Sequence, residues 1–165
     1  MVSFIVAGLV VAGTAAPPLP AWAHTQWVQA GLSKIFERKY YAKPGFLQAD
    51  FNGDGKTDVA ILVARRTTQS KGIIILHQGQ STPYVVGTGR NTASCIVRGD
   101  LSWADHWHIY TQPRTEETTF NPNGDILGSR AVRLKHPTIE LTKEEQGGGM
   151  IYWNGKRYIW IHQTC

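Results

Sequence analysis

Hydrophobic positions follow a helical period early in the chain and a strand-like pattern after it. Trp27, Ala30, Gly31, Ile35 and Tyr41 recur at roughly helical spacing, with Lys34, Glu37, Arg38 and Lys39 filling the other face. That pattern predicts a helix over Gln26 to Tyr41, stopped by Pro44-Gly45. Phe46 to Ala49 then leads into a polar loop. Val59 to Ala64 is apolar at every position, as in a central strand covered on both faces. Gly72 to His77 and Pro83 to Val86 read as the next pair of strands, with Gly79-Gln80-Ser81 as their turn. Ile96-Val97 and Trp107 to Tyr110 read as further short strands. Thr111 to Gly128 is polar and rich in turn residues, centred on Asn121-Pro122-Asn123-Gly124-Asp125. Ala131 to Leu134 and Thr138 to Leu141 read as strands around Pro137.

The clearest hairpin closes the chain. Asn154-Gly155 separates Met150–Trp153 from Lys156–His162, a type I′ turn signal. A two-residue turn there puts Ile151, Trp153, Tyr158 and Trp160 on one face, and Met150, Ile159 and Ile161 on the other with Tyr152 and Arg157. The predicted fold class is therefore α+β: one N-terminal helix packed on an antiparallel β-sheet, ending in a C-terminal β-hairpin.

The first residues carry a different signal. Phe4 to Ala12 is almost wholly apolar, Pro17, Pro18 and Pro20 break the run, and Ala21-Trp22-Ala23 has the small-x-small form of a signal-peptidase site. The apolar run is shorter than the roughly 20 residues that span a bilayer. Residues 1–23 are thus expected to be a signal peptide and 24–165 a single exported domain, secreted or periplasmic, with no transmembrane helix after cleavage. In that oxidising setting Cys95 and Cys165 can pair, tying the C-terminus to the middle of the chain; otherwise they remain two free thiols. The formal charge of +5 is scattered, with no Lys/Arg run longer than a pair such as Arg38-Lys39 or Arg65-Arg66, so no nucleic-acid footprint is expected.

The polar loop before the central strand carries the strongest chemistry. Asp50-x-Asn52-x-Asp54-Gly55-x-x-Asp58 places oxygen side chains at loop positions 1, 3, 5 and 9, and calcium takes six to eight oxygens. Gly55 permits the sharp turn that brings the Lys56 carbonyl into the set. An EF-hand would have a bidentate Glu where Ile61 stands, and the residues that follow are β-type. Over Phe46 to Val63 the arrangement resembles the calcium loop of integrin-type FG-GAP and VCBS repeats, whose pattern is met by Asp50, Asn52, Asp54, Gly55 and Asp58. The resemblance implies a strand-loop-strand calcium site. A single copy does not imply the propeller those families build.

Other constellations are weaker. Cleavage after Ala23 would make His24 the mature N-terminus, and its amine and imidazole with His106 or His108 would form a copper brace. The histidine pair in Asp105-His106-Trp107-His108 could seed a zinc site, for which spacing identifies no third ligand. No catalytic triad or paired carboxylates stand out. Six Trp and six Tyr are many for this length, and Trp153, Tyr158 and Trp160 are candidate ligand-binding aromatics if their face is open. The function expected is an exported, non-enzymatic calcium-binding module that binds a glycan or protein partner. The alternatives are a copper or zinc enzyme or metal-carrier using His24 and His106 or His108, and an inhibitor or immunity-type protein of an envelope enzyme.

Overall fold

The computed structural model describes residues 17–89, 99–144 and 147–163. Its organising element is β3 (Asp58–Arg65), in which every residue from Asp58 to Ala64 is buried. An apolar strand of this kind needs cover on both faces and neighbours on both edges. β4 (Lys71–Leu76) pairs along one edge, and β5 (Tyr84–Gly87) follows it. Along the other edge lie two short strands end to end: β1 (Phe36–Arg38) opposite Val63–Arg65 and β2 (Phe46–Ala49) opposite Asp58–Ile61. A second antiparallel sheet runs in the order β11 (Tyr158–Gln163), β10 (Gly147–Trp153), β9 (Thr138–Lys143), β6 (His106–Tyr110). A separate hairpin, β7 (Arg114–Phe120) with β8 (Ile126–Arg133), forms the third sheet.

The pleat of β3 sorts the layers. Ala60 and Leu62, with Ile73, Ile75 and Val86, face Trp107, Ile139, Leu141, Ile151 and Tyr158 of the second sheet. Val59, Ile61 and Val63, with Ile74 and Leu76, turn the other way onto Ala23, Trp27, Leu32 and Phe36. A smaller core of Leu134, Met150, Tyr152 and Ile161 lies on the outer side of the second sheet.

This overturns the expected single helix on a single sheet. Over the described residues the protein is mostly β, with three sheets and two short helices, α1 (Ala21–Gln29) and α2 (Leu32–Ile35). The predicted helix over Gln26–Tyr41 fails at Gly31, whose φ of 64° is left-handed and ends α1. Phe36, Glu37 and Arg38 then pair with β3, because an open edge of that strand offers ladder hydrogen bonds that the local periodicity cannot reveal. The stretch read as turns, Thr111–Gly128, contains β7 and the start of β8. That hairpin rests on threonines and a cross-strand pair, Arg130 Nε to Glu117 Oε2 at 2.7 Å, rather than on an apolar stripe.

The C-terminal hairpin has its turn one position later than expected. Trp153 pairs with Tyr158, Asn154 N donates to the Arg157 carbonyl at 3.1 Å, and Asn154 Oδ1 accepts from Lys156 N and Arg157 N. The register moves by two residues, one full period of the pleat, so the assignment of faces is unchanged. The strand expected at Ile96-Val97 and the pairing of Cys95 with Cys165 lie outside the described residues. Among the described residues no helix is long and apolar enough to cross a membrane.

Residues 17–23 belong to the packed structure. Ala21–Ala23, the expected cleavage motif, forms the first turn of α1, and Ala23 is buried. Leu19 and Trp22 pack against the same core, and Arg38 Nη2 donates to the Pro17 carbonyl at 2.6 Å.

Candidate metal centre

The loop from Asp50 to Asp58 joins β2 to β3. Aspartate and asparagine side chains are the right length to accept from backbone N–H groups two to five residues ahead, and this loop is closed in that way. Asp50 Oδ1 accepts from Gly53 N at 2.7 Å and Asp54 N at 3.0 Å, and its Oδ2 accepts from Gly55 N at 2.8 Å. Asn52 Oδ1 accepts from the same Asp54 N at 2.9 Å. Asp54 Oδ1 accepts from Lys56 N at 2.9 Å, a bond that holds its exposed carboxyl below the usual range, and Asn52 Nδ2 donates to Asp54 Oδ2 at 3.3 Å. The side chains at positions 1 and 3 therefore meet at one point, the Asp54 amide.

Asp58 does something else. Its side chain is fully buried; Oδ2 accepts from Phe51 N at 3.0 Å and Asn52 N at 3.3 Å, and Oδ1 from Gln78 N at 3.0 Å. It staples the loop to the turn between β4 and β5. Burial pushes this carboxyl up to about 6, against the pull of the three amide donors.

Beside it sits His77, also buried. Its Nδ1 lies 3.4 Å from Gln80 Oε1 and its Nε2 lies 2.6 Å from the Tyr158 hydroxyl. The amide oxygen opposite Nδ1 assigns the ring proton to that nitrogen, so Nε2 accepts from Tyr158. Burial lowers the pKa of His77, which keeps the ring neutral at pH 7. Its 4.0 Å approach to Asp58 Oδ2 is therefore not an ion pair at that pH. The chain Asp58, His77, Tyr158 runs from the loop through the core to the second sheet.

Asp50, Asn52 and Asp54 side chains and the Lys56 carbonyl make an all-oxygen donor set suited to a hard cation such as calcium. Asp58 differs from these in being fully buried, which fits it as the anchor of the loop to Phe51, Asn52 and Gln78.

The histidines are not brought together. α1, with His24, lies beyond one face of the first sheet, whereas His106 and His108 flank the inward Trp107 and point outward from the second. Two sheet layers, each spaced about 10 Å, separate them. His108 Nε2 instead meets Glu140 Oε2 at 2.7 Å. Among the described residues no three His, Cys, Asp or Glu side chains converge as a metal cage.

Trp153, Tyr158 and Trp160 do share a face, and that face turns inward. Tyr158 is 1% exposed, Trp153 stands edge-on to Tyr84 at 5.0 Å, and Trp160 edge-on to Trp103 at 6.0 Å. The three do not form an open platform. His77 was not singled out from sequence; the only signal was a histidine ending an apolar run. Comparison with protein-family models, with curated proteins and with solved structures finds no match to this chain.

Proposed function

We propose that this chain is an exported, non-enzymatic module whose Asp50–Asp58 loop holds calcium as a structural brace, and whose sandwich binds a partner in the envelope or outside the cell. The observation that carries the calcium reading is the shared Asp54 amide: Asp50 Oδ1 and Asn52 Oδ1 converge on it at 3.0 and 2.9 Å. Loop positions 1 and 3 thus already turn inward, as a strand-loop-strand calcium site requires. The cation would be held by Asp50, Asn52, Asp54 and the Lys56 carbonyl, with water completing the shell. So few protein ligands place the affinity near the weak end for extracellular modules, about 10⁻⁴ to 10⁻³ M. Its effect would pass through Asp58 to the turn at Gln78.

The test is a thermal melt at several calcium concentrations against the same sample in EDTA. Free calcium at about ten times the dissociation constant adds about 1.4 kcal/mol. The midpoint should rise with calcium and the rise should vanish in Asp54→Ala. A midpoint indifferent to calcium, with the fold intact, makes the loop an ordinary turn held by its own amide bonds.

A further inference from the structure

We infer that the groove between α1 and the turn joining β4 to β5 is the partner-binding site of this module, and that it takes a neutral oligosaccharide. The inference rests on the proposal that the module binds a partner; it does not depend on calcium. The groove has a volume of about 480 Å³, within the range of small-ligand sites. It is lined by Trp22, Thr25, Gln26 and Gln29 of α1 on one side and by Gln80 and Ser81 on the other. None of these side chains ionises. Amides and hydroxyls both donate and accept, which matches sugar hydroxyls that do the same. Trp22 supplies an aromatic face of the kind on which a pyranose ring stacks.

Two further observations point to a ligand. The amide nitrogen of Gln26 is closed off from solvent and has no hydrogen-bond partner among the described residues. A buried donor left without a partner destabilises the fold. Turning that amide into the groove, onto a ligand hydroxyl, would satisfy it. The opposite wall is also held ready. Gln78 N donates to Asp58 Oδ1 at 3.0 Å, Gln80 N to the His77 carbonyl at 3.2 Å, and Gln80 Oε1 faces His77 Nδ1 at 3.4 Å. A wall fixed before binding loses little conformational entropy on binding. A charge does stand nearby. The Lys56 ammonium lies 3.0 Å from where a Cβ on Gly79 would sit, and this makes an acidic saccharide the necessary control. Trp22 precedes the expected cleavage position, so the groove is complete only on a chain that keeps the first turn of α1.

The experiment is a calorimetric and tryptophan-fluorescence titration of the full chain with chitohexaose, cellohexaose and, as the acidic control, oligogalacturonate. Saturable binding of a neutral hexaose is expected, weakened about tenfold or more by Trp22→Ala and by Gln29→Ala, an exposed helix position that leaves the core untouched. The inference falls if neither neutral hexaose binds, if binding survives both substitutions, or if oligogalacturonate binds more tightly. The two proposals fail separately. A calcium-dependent melt with no saccharide bound removes the groove and leaves the loop; saccharide binding with no calcium response does the reverse.

Discussion

A carboxyl group with no exposed surface must direct its lone pairs to donors other than water, and Asp58 meets that demand with the amides of Phe51, Asn52 and Gln78. The arrangement has a pH consequence. Its folded pKa of about 6 lies above the unfolded value near 3.9, so between those values the folded state binds more protons. The contribution to stability is greatest below about pH 4 and declines as pH rises through about 6, by on the order of 2–3 kcal/mol. Measured by urea unfolding in EDTA, the wild type should lose stability relative to Asp58→Asn between pH 4 and 6.5. A difference that stays flat across that range would refute the raised pKa. Sequence showed Asp58 as one of four equivalent oxygen donors. Burial separates it from Asp50, Asn52 and Asp54, and burial depends on what β3 packs against.

Among the elements, β10 shows how a strand can be chosen for what it lacks. Gly148 lies between β9 and β11, and a Cβ there would run into the Leu141 carbonyl oxygen; one on Gly149 would run into the Trp160 ring. The first obstruction is backbone and cannot rotate away. Gly148→Ala is expected to cost about 1–3 kcal/mol in urea unfolding. Arg130→Ala, which removes the exposed pair with Glu117 on the β7–β8 hairpin, should cost below about 1 kcal/mol. If the order were reversed, the hairpin and not the sheet would be the stabilising element. Central strand β3 and the C-terminal hairpin were legible in sequence because their apolar runs or turn residues are local. β1 was not, because Phe36–Arg38 has a helix-compatible pattern and becomes a strand only through pairing with Val63–Arg65.

At the scale of the molecule, the first sheet is covered by α1 and α2 on one side and by the second sheet on the other. Cutting the chain after Ala23 would remove Leu19, Trp22 and the buried Ala23 from the outer core and leave α1 to begin at His24. Full burial of a large apolar side chain contributes about 1.5–3 kcal/mol, and Leu19 and Trp22 are partly buried. A chain beginning at His24 should therefore be less stable than one beginning at Pro17 by about 2–4 kcal/mol. Equal stabilities in urea would show that residues 17–23 add nothing to the fold. Sequencing the N-terminus of the protein as its source produces it tells which of the two forms exists.

What the sequence determined by itself was local: the spacing of oxygen side chains in the Asp50–Asp58 loop, the apolar run of β3, and which residues of the last hairpin share a face. Each depends on neighbours within a few positions, where periodicity and turn chemistry act. What only the tertiary structure decided were matters of what lies opposite. They include the packing of the two sheets that buries Tyr158 and His77, the distance between His24 and the histidines of β6, and the amide-lined groove that α1 shares with the β4–β5 turn. Burial and convergence are set by pairings between residues far apart in the chain, and no local pattern contains them.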